Sequence, residues 1–243
     1  MRTRLPQGEG ELHFLDRLAR STNRRTFLQW SGLTIGVVAL GCSDDNNGPG
    51  PNTGGEVNLG SGDTGILNYA YALEQLEAAF YTQVVAGAYF SGAPANEQEI
   101  LTDIKNHEVI HRDFLKAALG TAAIADLSVD FASITFGDRA SVLGAAKTFE
   151  DLGVSAYNGA GQLLTTPDNL VVAGKIVSVE ARHAAAIRDL LVPKSNAAGS
   201  FAGDDTVDPT TGLEIPERTP TQVLTAADTY VTTTINASGL PTS

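Results

Sequence analysis

The sequence is poor in sulfur and in positive charge, and each shortage excludes a class of protein. Cys42 is the one cysteine in 243 residues, so a scaffold held together by disulfides is excluded. Sixteen Lys and Arg stand against 28 Asp and Glu, which gives a formal net charge of −12 at pH 7. Because phosphates repel an acidic surface, we expect no nucleic-acid partner. The hydrophobic residues, 42% of the chain, suffice for a full core.

Positive charge is concentrated before Cys42. Six Arg and three acidic residues precede this cysteine, whereas 10 basic and 25 acidic residues lie from it onward. Arg24 and Arg25 are followed by an uncharged, weakly hydrophobic stretch of about 15 residues, shorter than the roughly 20 that span a bilayer. A basic start, a short apolar stretch and small residues at its end are typical of a cleavable export signal. Residues 1–41 are therefore predicted to be a signal peptide.

Two short motifs refine this prediction. Arg24-Arg25-Thr-Phe-Leu resembles the twin-arginine export motif, and Ala39-Leu-Gly-Cys42 resembles the cleavage box of lipoprotein signal peptidases. The resemblance implies a protein exported by the twin-arginine route to the periplasm or another extracytoplasmic compartment. A lipid on Cys42 would then hold it at a membrane. The alternative is an uncleaved N-terminal anchor with an ordinary buried cysteine.

The stretch after the signal is predicted to be a flexible tether. Residues 42–62 are rich in Gly, Asn and Pro and contain almost nothing that could be buried.

The predicted signal peptide contains the single Met and the single Trp of the sequence, Met1 and Trp30. The mature chain would contain neither.

From residue 63 onward, apolar residues recur with helical spacing. The spacing predicts four helices of about 25 residues each, over 63–88, 96–119, 138–164 and 167–191. Candidate N-terminal caps are Asp63 with Thr64, Asn96 with Glu99, and Asp138. Short loops predict that the helices form two antiparallel hairpins, while the link over 121–138 is long enough to cross the bundle.

The sequence therefore predicts an all-α fold. Residues 63–192 are expected to form a ferritin-like four-helix bundle with one long crossover between the second and third helices. Residues 193–243 are expected to form an irregular segment and a short fifth helix that starts at Thr219-Pro220 and packs on the bundle.

Each bundle helix carries polar residues where its apolar stripe should face the core. They are Glu74 on the first helix, Glu108 and His111 on the second, Glu150 on the third, and Glu180 and His183 on the fourth. Burying unpaired carboxylates is costly, so such residues must be paired, protonated or bound to metal. A Glu-x-x-His spacing puts both side chains on one helix face, so both can reach one ion. The alternatives are side chains on solvated helix surfaces, or ligands of a purely structural metal.

This pattern occurs twice. Glu74 is followed seven residues later by Tyr81 and then by Glu108-Val-Ile-His111, and Glu150 is followed by Tyr157 and then by Glu180-Ala-Arg-His183. Two halves in the same order predict a site with approximate twofold symmetry. A Glu from each of two helices and a Glu-x-x-His from each of the others is the ligand rule of di-iron and di-manganese carboxylate bundles. Four carboxylates and two imidazoles without a thiolate suit Fe or Mn, so two ions are expected, Fe before Mn.

These motifs resemble the ferritin-like superfamily. Leu73–Tyr81, Phe149–Gly159 and Val179–Ala184 resemble its branch of desiccation-related proteins, and the resemblance covers about residues 63–191. It implies that Glu108 and Glu180 bridge the two ions. The other four residues would complete the sets, Glu74 with His111 on one side and Glu150 with His183 on the other.

Two neighbouring ions can react with O2 or peroxide. The leading hypothesis is therefore an exported, lipid-anchored ferroxidase, peroxidase or catalase-like protein of oxidative or desiccation stress. The alternative is a non-enzymatic envelope stress-protection protein with a structural or vestigial metal site. Iron storage needs a closed shell of subunits, and a lipid tether on each chain is difficult to combine with such a shell. A homodimer is compatible with the tether.

Three neighbours of the six residues are also candidates for a role at the site. Glu77 lies one turn after Glu74, but its repeat mate is Gly153, which favours a place beside the ligands over ligation. Tyr81 and Tyr157 are candidates to hydrogen-bond ligands or carry a radical, with ordinary core tyrosines as the alternative.

His107 directly precedes Glu108 in the sequence. Consecutive helical side chains point about 100° apart. His107 is therefore predicted to lie on the surface.

Overall fold

The computed structural model describes residues 55–193, 201–215 and 217–242. The predicted signal peptide with Arg24 and Arg25, the predicted lipid attachment at Cys42 and the first part of the predicted tether lie outside the described residues. Within the described ranges, no helix is both long and apolar enough to cross a membrane.

Four long helices dominate the described chain, as the apolar spacing predicts. The elements are β1 Glu56–Asn58, α1 Gly62–Ala86, α2 Ala88–Gly92, α3 Ala95–Leu119, a 3-10 turn Gly120–Ala122, α4 Arg139–Gly161, α5 Pro167–Leu191, α6 Pro220–Ala227 and β2 Thr234–Asn236. Helix α1 packs mainly on α3 and α4 mainly on α5, and the two hairpins meet through α1 with α4 and α3 with α5. The predicted all-α bundle is confirmed, with one small two-stranded sheet in addition.

Contacts at the two ends of the bundle fix the helix directions. At one end, Asp63 near the start of α1 accepts hydrogen bonds from the N–H groups of Thr165 and Thr166, where α4 gives way to α5. At the other end, Arg139 at the start of α4 binds Glu97 at the start of α3 and donates to the carbonyl of Leu190 at the end of α5. Helices α1 and α5 therefore run one way, and α3 and α4 run the other.

These directions require the link between α3 and α4 to traverse the whole bundle, as predicted from its length. The link lies along α1 and is held there by side chains of that helix. The Asn68 amide donates to the carbonyl of Ala122 and accepts from the N–H of Ile124. Further along, Gln75 Oε1 accepts from the N–H of Leu127 at 2.7 Å. Two amide side chains of α1 thus satisfy backbone groups of the link that have no partner within a helix or a sheet.

The helix starts differ from expectation in two of three places. Asp138 caps α4 as predicted, because its carboxylate accepts from the N–H of Ser141 at 2.7 Å. Asp63 does not cap its own helix, and its hydrogen bonds stabilise the start of α5 instead. Asn96 lies inside α3, which begins at Ala95, so the predicted capping box at this helix is wrong.

The structure also corrects the end of the predicted tether. Strand β1 pairs in parallel with β2, with Val57 opposite Ile235. Val57 and Leu59 are buried, with 6% and 0% of their surface exposed. Residues two apart in a strand share a face, so these two side chains can be covered together. The pairing strand comes from near the other end of the chain, which the local composition of residues 42–62 cannot reveal.

The C-terminal part packs against the bundle at several points. Val223 and Ala227 of α6 are buried. The guanidinium of Arg188 on α5 is buried and binds both Asp151 of α4 and Asp205, at 2.8 and 2.9 Å. A helix and a loop that follow α5 are therefore fixed to the bundle by apolar burial and by charge.

Candidate metal centre

The six predicted ligand residues meet inside the bundle. Glu74 comes from α1, Glu108 and His111 from α3, Glu150 from α4, and Glu180 and His183 from α5. All four carboxylates have 0% of their surface exposed, while His183 is buried and His111 is half-buried. The alternative in which these side chains lie on solvated helix surfaces is therefore excluded.

His111 marks one half of the cluster. Its Nδ1 lies 2.9 Å from Oε1 of Glu180, 3.4 Å from Oε2 of Glu74 and 3.6 Å from Oε2 of Glu108. Nδ1 thus faces carboxylates from three helices. One atom from each of these four residues can be chosen so that all lie within 4.8 Å of one another, which is compact enough to hold an ion.

His183 repeats this arrangement in the other half. Its Nδ1 lies 2.7 Å from Oε1 of Glu108, 3.4 Å from Oε2 of Glu150 and 3.6 Å from Oε2 of Glu180. These four residues form a second group of the same compactness. Glu108 and Glu180 belong to both groups and offer a different oxygen to each histidine. The predicted twofold arrangement is therefore present in the geometry.

The two predicted tyrosines connect the halves. Tyr157 on α4 donates to Oε1 of Glu74 on α1 at 2.6 Å. Tyr81 on α1 donates in turn to Oε1 of Glu150 on α4. Both tyrosines are buried. Oε1 of each glutamate thus accepts a hydrogen bond from a tyrosine, while Oε2 faces the histidine of its half of the cluster.

Unsatisfied polar atoms test whether a cation fits this cluster. Among the described residues, ten buried side-chain N and O atoms have no hydrogen-bond partner, and eight of them belong to the six cluster residues. The short distances from the histidine nitrogens to the carboxylates lack hydrogen-bond geometry. Buried polar groups without partners are rare in proteins. Eight such atoms in one place, all lone-pair donors to a cation, fit a metal site.

Burial and mutual contacts shift the pKa values of the cluster residues. Burial raises the pKa of Glu108 well above its ordinary value, and the charge of Glu180 adds to this rise. Burial likewise raises the pKa of Glu150 to about 7. Burial lowers the pKa of His111, but its contacts with Glu108, Glu180 and Glu74 outweigh this effect and raise it to about 12. Without a metal ion, protons must therefore neutralise part of the cluster. A cation that binds to these residues would displace those protons.

Glu77 lies beside the cluster but in neither four-residue group. Its carboxyl is buried, and burial together with the charges of Glu108 and Glu180 raises its pKa well above the ordinary value. A Cβ placed on Gly153, its repeat mate, would lie 3.0 Å from Oε1 of Glu77. The missing side chain in one half thus makes room for the additional carboxyl of the other half.

His107 is exposed, as predicted, yet sequence reasoning missed its contact with the cluster. Its Nδ1 lies 2.9 Å from Nε2 of His183. The contact joins α3 to α5, so helical spacing within α3 gives no sign of it. The available signal was the departure from the repeat, in which Val179 stands where His107 would be expected.

A small apolar cavity is lined in part by Tyr157, the tyrosine that donates to Glu74. It has a volume of about 20 Å³, and Leu73, Ala156 and Tyr69 are among the residues that line it. The hydroxyl of Tyr69 is buried and has no hydrogen-bond partner. The volume is enough for one molecule of about the size of water.

Two hairpins joined by a long crossover, with carboxylates and imidazoles gathered between them, define a helical-bundle protein with a candidate metal site. Residues 62–193, more than half of the chain, match the family model of the ferritin-like domain. The chain therefore belongs to the ferritin-like domain family, which confirms the resemblance at the level of the superfamily. No curated protein matches the chain. Membership of the desiccation-related branch stays a prediction.

Proposed function

We propose that the cluster binds two metal ions, Fe in preference to Mn, and that the protein reacts with O2 or peroxide. The observation that carries this proposal is the pair of compact four-residue groups that share Glu108 and Glu180. A single ion would need four of the six residues, whereas two ions give every one of them a partner. Oxygen-rich ligand sets with imidazole and without thiolate suit Fe and Mn.

The residues divide into three roles under this proposal. Glu108 and Glu180 would bridge the ions, while Glu74 and His111 would complete one side and Glu150 and His183 the other. Tyr157 and Tyr81 would hold the terminal carboxylates in place through Oε1. When bound, two such ions would supply the electrons for reduction of O2 or peroxide. The protein supplies a buried place with fixed ligands, which excludes bulk water from the reaction.

The apolar cavity supports a small substrate. It is large enough for one water-sized molecule, and Tyr157, which bonds Glu74, is among the residues that line it. O2 is apolar and enters apolar cavities without losing hydrogen bonds to water.

Metal analysis is the first test of this proposal. Full-length protein that has been loaded with Fe(II) without air should contain two ions per chain. Glu108→Ala should bind at most one, because it removes a residue shared by both groups. Glu99→Ala is the matched control, since Glu99 is an exposed carboxylate on the same helix. Equal metal content in the two variants would contradict the proposed site.

Substrate consumption separates an enzyme from a structural metal site. The Fe-loaded protein should consume O2 when excess Fe(II) is added as the reductant, or it should disproportionate hydrogen peroxide to O2 and water without a reductant. His183→Ala should abolish this turnover. A protein that binds two ions, is stabilised by them and consumes neither oxidant would instead be the non-enzymatic stress-protection protein.

The location of the protein is part of the same proposal. Arg24-Arg25 and the box that ends at Cys42 support export by the twin-arginine route and lipid attachment outside the cytoplasm. Mass spectrometry of the membrane fraction should find a lipid-modified N-terminal peptide beginning at Cys42. Cys42→Ser should release the protein from membranes, and replacement of both arginines by lysine should retain it in the cytoplasm.

A further inference from the structure

His107 and His183 form an imidazole pair with a specific geometry. Their rings are nearly parallel, at 8°, and their centroids are 5.2 Å apart. The bonded nitrogens are separated by 2.9 Å. The centroid distance exceeds the nitrogen distance by about one ring diameter. The rings therefore meet edge to edge through their nitrogens, in the arrangement of an in-line N–H···N hydrogen bond.

The other ring nitrogen of His183 decides the direction of this bond. Its Nδ1 faces Glu108, Glu150 and Glu180. A nitrogen that binds a cation must present a lone pair, so the ring proton must be on Nε2. Nε2 of His183 then donates to Nδ1 of His107. The bond to His107 thus selects the one neutral tautomer of His183 that can bind a metal.

His111 differs from His183 at its outer ring nitrogen. In the part of the chain that the structure describes, no hydrogen bond to its Nε2 occurs. The repeat offset of 72 residues that relates His111 to His183 also relates His107 to Val179. A valine side chain cannot accept a hydrogen bond. The approximate twofold symmetry of the ligands is therefore broken just outside them.

We propose that His107 is a positioning residue that holds His183 ready to bind a metal ion. As a result, the ion on the His183 side binds more tightly than the ion on the His111 side. The proposal rests on the proposed two-ion centre and adds an order of filling to it. Hydrogen bonds to the outer nitrogen of a metal-binding histidine fix its orientation and tautomer, and their loss typically lowers metal affinity 10- to 100-fold.

The test is a titration of the chelated full-length protein with Co2+, followed by the visible absorption of each bound ion and by calorimetry. The wild type should show two binding steps. His107→Val copies the residue of the other half, and it should weaken the tighter step by roughly 10- to 100-fold. The weaker step should stay unchanged, so the two steps should become alike.

Three further variants distinguish positioning from a general loss of structure. His107→Asn places an amide oxygen near the position of Nδ1 and should restore the tighter step. Val179→His places an imidazole at the repeat position of His107, where it should accept from His111 and strengthen the weaker step. Asn106→Val replaces an exposed neighbour on the same helix and should change neither step.

A spectroscopic readout is independent of affinity. In Zn2+-loaded protein, the 15N shifts of His183 should report a proton on Nε2, and His107→Val should shift this signal toward that of His111. Two ions that bind the wild type and His107→Val alike would overturn this inference and leave the two-ion centre intact. Fewer than two ions in the wild type would overturn the centre itself and the inference with it.

Discussion

The hydroxyl of Tyr157 donates to Oε1 of Glu74 across the interface between α4 and α1, at 2.6 Å. The same interface carries the reciprocal bond from Tyr81 to Glu150. The two bonds cross-link the hairpins at the cluster and orient one carboxylate in each half. The bundle is thus held together at its centre by the same residues that form the candidate site.

Removal of the Tyr157 hydroxyl should destabilise the protein. Tyr157→Phe would leave Oε1 of Glu74 buried without this donor, which costs about 1–3 kcal/mol, so the free energy of unfolding should fall by about this amount. Urea denaturation of the chelated protein gives the measurement.

Tyr69→Phe is the matched control for this change. Its hydroxyl is also buried but has no partner, so its removal should leave stability unchanged or raise it. Equal losses in the two variants would show that the Tyr157 bond adds nothing beyond ring packing.

Chelation should cost more stability at high pH than at low pH. The pKa of His111 is raised from 6.5 to about 12, so its contribution is complete below pH 6.5 and disappears between pH 6.5 and 12. The raised pKa of Glu150, about 7 against 4.5, also reduces the stability of the chelated protein between pH 4.5 and 7. Metal ions displace these protons, so the loaded protein should avoid both losses.

The lowered pKa of Glu180, about 2 against 4.5, acts at the acid end, where its stabilising contribution is lost below pH 4.5. The combined contribution of these three groups to the stability of the chelated protein should therefore be largest near pH 4.5. Thermal melts with and without metal at pH 5 and 8 measure the difference. A shift on metal addition that is no larger at pH 8 would contradict the assigned protonation.

The repeat of the ligands was readable from the sequence because Glu-x-x-His and the Glu-to-Tyr spacing of seven fall on single helix faces. The contacts made by the residues that depart from this repeat cannot be predicted in the same way. The contact of His107 with His183 joins two helices, and the partner of Asp63 lies about 100 residues away at the start of α5. Local spacing reports which side chains share a face, whereas such contacts depend on how the helices are arranged.

Glu77 and Gly153 should behave as a coupled pair. Alanine normally stabilises a helix by about 1 kcal/mol relative to glycine. At Gly153 the new Cβ would lie 3.0 Å from Oε1 of Glu77 and 3.8 Å from Oε2 of Glu180. Gly153→Ala should therefore give no gain in stability, whereas the same change in a Glu77→Ala background should give about 1 kcal/mol.

Gly144→Ala on the same helix is the control for helix propensity, because a Cβ there would meet nothing within 4 Å. Glu77→Gln keeps the shape of the side chain, and two ions should still bind if Glu77 is not a ligand. Loss of one ion in Glu77→Gln would make Glu77 a ligand and would contradict its place outside the two groups.

A substitution at Leu59 tests whether the segment before α1 belongs to the folded domain or to the tether. It is 0% exposed and follows β1, whose partner strand is β2. Leu→Ala at a buried site costs about 2–5 kcal/mol, so Leu59→Ala should lower the free energy of unfolding within this range. Leu213→Ala, at a leucine that is 68% exposed, should change it by less than about 0.5 kcal/mol. A tether would tolerate both changes equally, so a neutral Leu59→Ala in urea denaturation would move the start of the folded domain back toward Gly62.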